Sequence, residues 1–291
     1  MSPGARLRSL IAERGVIEAM AAHNPLSARL AVEAGFEAVW ASGFELAASE
    51  CRADVGLVSP GEHLELCRRM AARAGALLVA DLDTGFGNAV NLSYAVRDYE
   101  AAGVAAVVFE DKTFPKMTSL ASGSTRQDLA PIEECVGKVA AARGARRDEG
   151  LVIVARTEAL IAGAGLDEAV RRGEAYAEAG CDLLLIHSKA QDAAEVLAFC
   201  DRWKPACPLV VVPTTYPRFG REAARAVGKI AMVIYGNHGL RAATAAMESA
   251  FRSIREAGHA AEVEPDIAPL SRIFELQDMD HVAELERRFL R

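Results

Sequence analysis

Two carboxylates at the end of an apolar stretch are the side chains in this sequence best placed to do chemistry. Asp81 and Asp83 follow residues 76–80, a stretch without polar alternation that is typical of a strand covered on both faces. Side chains two residues apart on a strand point the same way, so both carboxylates are expected to face one cation. Gly85 and Gly87 come directly after them and predict a loop at this strand end.

A third carboxylate, Glu110, ends the next apolar stretch, residues 105–109. Three oxygen ligands at the ends of two neighbouring strands suit Mg²⁺ or Mn²⁺ far better than zinc, which prefers His and Cys. The alternative is that these acidic residues only cap helices and form turns, as Asp, Asn and Thr often do. The spacing therefore predicts a divalent metal site, with a purely structural role as the alternative.

The elements that must position these carboxylates are apolar, strand-like stretches that alternate with amphipathic, helix-like segments. Eight such stretches occur, at residues 16–21, 37–41, 76–80, 105–109, 151–155, 182–186, 209–212 and 230–234. Eight strands alternating with helices predict an α/β fold, a closed (β/α)₈ TIM barrel with right-handed crossovers. An open doubly wound sheet is the alternative, but no Gly-x-Gly-x-x-Gly follows the first strand.

Helices are predicted between these strands and after the last one. The segments are 25–34, 60–73, 91–102, 166–179, 190–203 and 240–257, and the tail 270–291 also has apolar residues at helical spacing. An amphipathic tail needs a surface to cover, on its own barrel or on a neighbouring subunit. We expect one barrel domain over residues 1–291 that includes this tail.

The predicted strands end in side chains that bind ligands or transfer protons in many enzymes. These residues include His23, Ser42, Asp81, Asp83, Glu110, Arg156, Glu158, His187, Lys189, Thr214 and Asn237. Singly, each has a structural explanation, such as a cap or a surface ion pair. Active sites of barrels lie at the C-terminal ends of the strands, so their convergence on one rim predicts an active site.

Two long connections on the same face are predicted to act as lids. Residues 44–59 follow the second strand, and residues 111–129 follow the fourth strand and contain Lys112, Lys116 and Gly123. Basic, hydroxyl and glycine residues in one loop are typical of a mobile cover over an anion. A flexible insertion without function is the alternative.

Composition excludes several classes of protein. Of the 291 residues, 51% are hydrophobic and 25% charged, which predicts a sizeable folded core. The net charge of −7 argues against a nucleic-acid partner. No 18-residue apolar span and no signal-peptide core occur, so we expect a cytoplasmic protein without membrane contact. The six cysteines form no Cys-x-x-Cys pair and are expected to be mostly buried, reduced thiols.

Five segments resemble a known superfamily. They are residues 40–43, 81–88, 110–116, 155–156 and 186–189. Their sequences resemble the phosphoenolpyruvate mutase/isocitrate lyase superfamily, and the similarity extends over about residues 16–290. The resemblance implies a barrel enzyme that acts on a metal-bound 2-oxo acid, and it implies a homodimer or homotetramer in which the tail packs on a neighbouring subunit.

Within the superfamily, Thr118 and residues 233–238 resemble the branch that hydrolyses the carbon–phosphorus bond of phosphonopyruvate to pyruvate and phosphate. The mutases carry Asn at the position of Thr118. The carbon–carbon lyases carry a catalytic Cys in the lid after strand four, whereas residues 111–129 contain none. The resemblance therefore implies a carbon–phosphorus hydrolase, with the mutase reaction as the alternative and a carbon–carbon lyase as a more remote one.

The resemblance also implies a role for each residue of the rim. Asp81 would bind Mg²⁺ directly, and Asp83 and Glu110 would hold it through waters, with Mn²⁺ or Co²⁺ as substitutes. Asp54 would act as nucleophile or base. The residues expected around the substrate are Ser42 and the Gly43 N–H at its carboxylate, Trp40 as a packing wall, Arg156, His187, Thr118 and Ser119 at its phosphonyl group, and Lys116 in the lid.

Two alternative functions, one with a different mechanism and one without catalysis, stay open at this point. A Schiff-base aldolase would use Lys112 or Lys189 and no metal. A barrel retained only as a metal-binding or phosphate-binding module would bind without turnover. Acid, cation-binding and lid residues occur together, which favours an enzyme.

Overall fold

Residues 1–121 and 127–290 are described by a computed structural model. Gly123, expected in the lid, and Arg291 at the end of the tail lie outside the described residues. The described chain forms two compact units, Met1–His238 and Gly239–Arg291.

Eight parallel strands close into a barrel in the first unit. They are β1 (Ile17–Ala22), β2 (Ala38–Ala41), β3 (Leu78–Asp81), β4 (Ala106–Glu110), β5 (Val152–Thr157), β6 (Leu183–Ile186), β7 (Leu209–Val211) and β8 (Ile230–Tyr235). Each strand pairs with its neighbours in chain order, and β8 pairs with β1 through Ala19 opposite Ile234. The predicted closed barrel is confirmed, and the open doubly wound sheet is excluded.

Helices follow the strands as the amphipathic segments predict. Those of the first unit are α1 (Pro3–Arg14), α2 (Pro25–Glu33), α3 (Gly43–Ser49), α4 (Pro60–Ala74), α5 (Ala89–Ala101), α6 (Ile132–Ala145), α7 (Leu166–Glu178), α8 (Ala194–Arg202) and α9 (Arg221–Val227). Several begin at a side-chain cap; Ser42, for example, accepts a hydrogen bond from Glu45 N–H. Helix α8 begins four residues later than predicted, and the Asp192 carboxylate accepts a hydrogen bond from the N–H of its first residue, Ala194.

The core has two layers because successive strand residues face opposite sides of the barrel wall. On β2, Ala38 and Trp40 belong to the cluster inside the barrel, whereas Val39 and Ala41 pack towards the helices. All four are buried, which explains the absence of polar alternation in the sequence. Of the six free cysteines, Cys51 is exposed, against the expectation of buried thiols, because it lies in the loop after α3.

The second unit is helical. It contains α10 (His238–Ala257, which starts at the last residue of the first unit), a 3₁₀ turn (Glu264–Asp266), α11 (Leu270–Leu276) and α12 (Met279–Phe289). The tail predicted as one helical stretch is broken at Asp278, whose φ of 57° is left-handed. Several large apolar side chains are exposed on these helices, among them Phe251, Leu270, Phe274 and Phe289. No helix of the described residues is long and apolar enough to cross a lipid bilayer.

Candidate active site

The loop after β3 brings the two predicted carboxylates together by a turn. Asp81 is the last strand residue, and Asp83 has a left-handed φ of 52°, so strand alternation does not set its direction. Asp83 N–H donates to Asp81 Oδ1 at 3.2 Å. A Cβ on Gly43 would lie 2.5 Å from Asp83 Oδ1 and 3.6 Å from Asp81 Oδ2. Only glycine at position 43 allows both carboxylates to approach this point.

Glu110 at the end of β4 contributes a buried carboxylate to the same region. Its backbone N–H donates to the Asp83 carbonyl oxygen at 2.7 Å, which links the β3 loop to β4. Among the described residues, Glu110 Oε1 has no hydrogen-bond partner, and Lys112 Nζ lies 3.8 Å away. An unpartnered oxygen buried in a protein is expected to have a ligand or an ion.

The buried charges do not balance within the described chain. Ion-pair distances of at most 3.8 Å join five carboxylates to three cationic side chains, which leaves two negative charges in excess; the residues are Asp54, Asp81, Asp83, Glu110 and Glu158 with Lys112, Lys116 and Arg156. Burial and the nearby Asp83 raise the pKa of Asp81 to about 6, and burial raises the pKa of Asp83 and of Glu110.

These observations fit a divalent cation with oxygen ligands. No three His, Cys, Asp or Glu side chains within residues 1–121 and 127–290 are arranged to hold a metal directly. One direct ligand, Asp81, with Asp83 and Glu110 in an outer layer, is compatible with that arrangement. The three residues predicted for the metal therefore lie in one region, and their roles stay a prediction.

An arginine and a histidine lie beside the carboxylates of the β3 loop, with Arg156 Nη1 3.8 Å from Asp81 Oδ2. Arg156 on β5 and His187 after β6 are both buried, and an Arg156 terminal nitrogen lies 2.9 Å from His187 Nδ1. Burial and the neighbouring Arg156 lower the pKa of His187, while Glu158 raises it. The net direction keeps the imidazole neutral at neutral pH. Both side chains could bind an anion, and we call this pair the anion-binding wall.

The loop after β4 covers the cleft through buried contacts. Lys116 Nζ lies 2.7 Å from Asp54 Oδ1 and 2.5 Å from Asp83 Oδ1, so it joins the loop after α3 to the β3 loop. Burial lowers the pKa of Lys116, but Asp83 and Asp54 outweigh it and raise this pKa well above its ordinary value. The Thr118 carbonyl oxygen accepts a hydrogen bond from Gln127 Nε2 at 2.9 Å. Gln127 lies nine residues later in the sequence.

The cleft has an empty volume of about 540 Å³, including solvent at its mouth. Nine predicted residues line it, namely Trp40, Ser42, Asp54, Asp81, Lys116, Thr118, Ser119, Arg156 and His187. Gly43, Asp83 and Glu110 are not part of the lining. The Gly43 N–H, expected at the substrate carboxylate, lies 3.4 Å from Asp81 Oδ2. Trp40 is buried in the barrel interior and lines the cleft, as expected of a packing wall.

Six further residues line the cleft, namely Phe44, Leu120, Val212, Thr214, Gly236 and Asn237. Thr214 and Asn237 were expected on the rim because they follow β7 and β8, but no role was assigned to them. Phe44 and Leu120 are apolar loop residues, and no local pattern separates them from other apolar residues.

The two lysines of the aldolase alternative are poorly placed for that chemistry. Lys112 Nζ donates to the Met117 carbonyl oxygen and to Ser119 Oγ, and it does not line the cleft. Lys189 is exposed. A Schiff-base lysine needs a free amine that faces the substrate. Neither lysine meets that requirement.

Comparison with known proteins identifies the family. Residues 7–255 match the family model of phosphoenolpyruvate phosphomutase. The chain belongs to the phosphoenolpyruvate phosphomutase family. This membership confirms the superfamily resemblance and places the cleft of this chain in a family of enzymes.

Two relatives of high identity are named for different activities. The phosphonopyruvate hydrolase of Variovorax sp. (strain Pal2) is 48% identical over 100% of both chains. The phosphoenolpyruvate phosphomutase of Streptomyces hygroscopicus is 41% identical over 96% of this chain and 88% of its own.

Solved structures of a hydrolase and of a mutase share the fold of this chain. A crystal structure of phosphonopyruvate hydrolase in complex with oxalate and Mg²⁺ has a TM-score of 0.94 and 47% identity over 100% of both chains. That of a phosphoenolpyruvate phosphomutase from Streptomyces platensis subsp. rosaceus has a TM-score of 0.96 and 47% identity over 99% of both chains. Overall similarity therefore leaves the two reactions to be separated by residues of the site.

Proposed function

We propose that this chain is a hydrolase that cleaves the carbon–phosphorus bond of phosphonopyruvate to pyruvate and phosphate, with Mg²⁺ as its metal and Mn²⁺ or Co²⁺ as substitutes. The observation that carries the proposal is that Asp81, the proposed metal ligand, lines the same cleft as the neighbouring Arg156 and His187. A substrate with a 2-oxo acid at one end and a phosphonyl group at the other matches both sets of groups. The phosphonopyruvate hydrolase of Variovorax sp. (strain Pal2), similar over its whole length, supports the same reaction.

The distribution of charged groups in the cleft is suited to cleavage of the carbon–phosphorus bond. Cleavage leaves the enolate of pyruvate, and a divalent cation held by Asp81, with Asp83 and Glu110 around it, would supply positive charge to its oxygens. Ser42 and Gly43 at the start of α3 would contact the carboxylate end. Trp40 would form the wall beside it.

The anion-binding wall of Arg156 and His187 receives the group that is transferred. Arg156 donates charge-assisted hydrogen bonds to phosphonyl oxygens, and neutral His187 donates one when its Nε2 carries the hydrogen. Thr118 and Ser119 from the loop after β4 complete this wall. Asp54 lines the same cleft, and we propose that it acts on the phosphoryl group as nucleophile or directs the attacking water.

Product analysis tests the reaction directly. The chain is incubated with phosphonopyruvate and Mg²⁺, and phosphate, pyruvate and phosphoenolpyruvate are followed together by ³¹P and ¹H NMR. Equal amounts of phosphate and pyruvate are expected. Formation of phosphoenolpyruvate without net phosphate would establish the mutase reaction instead.

Thr118→Asn is expected to slow phosphate release and to divert part of the product to phosphoenolpyruvate, measured by ³¹P NMR. Asn has one more side-chain heavy atom than Thr and a fixed N–H₂ donor, so it fills the space for an attacking water and retains the phosphoryl group. Thr118→Ala is expected to lose about 1–3 kcal/mol of transition-state stabilisation if the hydroxyl bonds a charged oxygen. Thr118→Ser, which keeps the hydroxyl, is the control. Unchanged rates and products in the Asn and Ala variants would show that Thr118 does not decide between the hydrolase and the mutase reaction.

We also propose that the helical tail packs on a second copy of the chain, in a homodimer or homotetramer. Large apolar side chains such as Leu270, Phe274 and Phe289 are exposed, and apolar surface of this kind marks protein interfaces. Truncation after Pro269 is expected to give smaller or aggregated species by light scattering. A full-length chain that is monomeric at micromolar concentration would contradict the proposal.

A further inference from the structure

A buried carboxylate behind the cleft connects the anion-binding wall to the covering loop. Glu158 follows β5 by one residue and is fully buried. Its Oε1 accepts from Arg156 Nε at 2.6 Å and lies 2.9 Å from His187 Nδ1. One oxygen of Glu158 therefore contacts both residues of the anion-binding wall.

The second oxygen contacts the covering loop. Glu158 Oε2 accepts from Ser119 Oγ at 2.6 Å and lies 3.0 Å from Lys112 Nζ. Lys112 in turn donates to the Met117 carbonyl oxygen at 2.8 Å, so the loop backbone belongs to the same network. Arg156 closes the network because its terminal nitrogen donates to Ser119 Oγ at 3.1 Å.

Glu158 is itself held in place by Asp111. Its backbone N–H donates to Asp111 Oδ1 at 2.7 Å, and Asp111 Oδ2 accepts from Thr157, Tyr176 and Arg172. Burial raises the pKa of Glu158, but the positive charges of Arg156 and Lys112 outweigh it and keep this pKa well below its ordinary value. The carboxylate is therefore ionised and presents two acceptor oxygens in fixed positions.

Glu158 does not line the cleft, so its part in the reaction is indirect. We propose that Glu158 is a positioning residue that orients Arg156 and His187 towards the phosphonyl group and holds the loop carrying Lys116, Thr118 and Ser119 over the cleft. The part that concerns the reaction rests on the proposed function. One side chain thus makes loop closure and anion binding depend on each other, because both use the same carboxylate.

Glu158→Gln separates this role from simple filling of space. Gln has the same shape but one acceptor oxygen, and its N–H₂ must face the donors either of Arg156 or of Lys112 and Ser119. One half of the network is therefore lost. We expect kcat for phosphonopyruvate to fall by at least about a hundredfold, as for loss of preorganised donors. Mg²⁺-dependent oxalate binding, measured by calorimetry, is expected to stay within about threefold because, in the part of the chain that the structure describes, Glu158 forms no hydrogen bond with Asp81, Asp83 or Glu110.

Limited trypsin digestion reports the loop independently of activity. Lys112 and Lys116 are buried, and cleavage after them, identified by mass spectrometry, requires the loop to open. Faster cleavage is expected in Glu158→Gln than in the wild-type chain. The control is Asp182→Asn, which loses a carboxylate paired with Arg8 and Arg146 just before β6, at the opposite end of the barrel. It is expected to lower Tm without faster cleavage after Lys116.

The outcomes decide the proposal in either direction. Wild-type kcat and trypsin resistance in Glu158→Gln would overturn it, and so would equal losses of kcat, oxalate binding and trypsin resistance in Asp182→Asn. If Glu158→Gln is too unstable to purify, Lys112→Met removes the hydrogen bonds of Lys112 to the loop and its ion pair with Glu158, while Arg156 and His187 keep their contacts with Glu158. Unchanged resistance to trypsin after Lys116 would then contradict the loop half. If the wild-type chain releases no phosphate, the proposed function fails, but the trypsin and oxalate measurements still decide on Glu158.

Discussion

Asp81→Asn is expected to abolish phosphate release from phosphonopyruvate and to remove the rise in Tm that Mg²⁺ produces in the wild-type chain. Asp81 is the residue proposed as the direct ligand, and an amide oxygen carries no charge to bind the cation. A ligand at a hundred times its Kd adds about 2.7 kcal/mol to the free energy of unfolding, so loss of binding is readily seen by calorimetry.

The metal-free protein provides the control for this variant. Burial and Asp83 raise the pKa of Asp81 to about 6, above the value of the unfolded chain, so ionised Asp81 costs stability at neutral pH without metal. The neutral amide removes that cost, and Tm of metal-free Asp81→Asn is expected to equal or exceed that of the wild type. Asp83→Ala should weaken Mg²⁺ binding and turnover less severely. Near-native turnover of Asp81→Asn at micromolar Mg²⁺ would refute the metal assignment.

Asp54→Asn is expected to lower kcat by at least about a hundredfold and to change substrate affinity by less than about tenfold, the pattern of a group that acts in the transition state. Asp54 lines the cleft, and its Oδ1 lies 2.7 Å from Lys116 Nζ. Lys116 keeps Asp83 as a partner in the variant, so the covering loop retains one of its ion pairs.

Steady-state kinetics gives kcat for Asp54→Asn, and calorimetry with phosphonopyruvate gives the affinity of the inactive variant. Lys116→Met is the matched comparison because it removes the ion-pair partner of Asp54 and leaves the Asp54 carboxylate in place. If both variants lose the same fraction of kcat, Asp54 acts through Lys116 and the loop. If affinity falls while kcat stays, Asp54 positions the substrate.

The sequence alone was sufficient to predict the barrel and the rim of the site. Apolar stretches such as β3 and β4 show their burial locally, and eight of them alternating with helices leave one closed arrangement. Because parallel strands place their C-terminal ends at one face, Asp81, Arg156 and His187 could be expected together without knowledge of any contact. The lining of the cleft contains all three.

The tertiary structure alone decided how these side chains are held. Asp83 reaches the site through a left-handed turn, and Lys116 pairs with Asp54 across 62 residues of chain. The break at Asp278 and the double role inferred for Glu158 have no local signal either. Such contacts depend on which loops meet over the barrel, and periodicity within one segment carries no information about distant partners. Local sequence patterns determined the barrel, and long-range packing determined the orientation of the side chains proposed to catalyse the reaction.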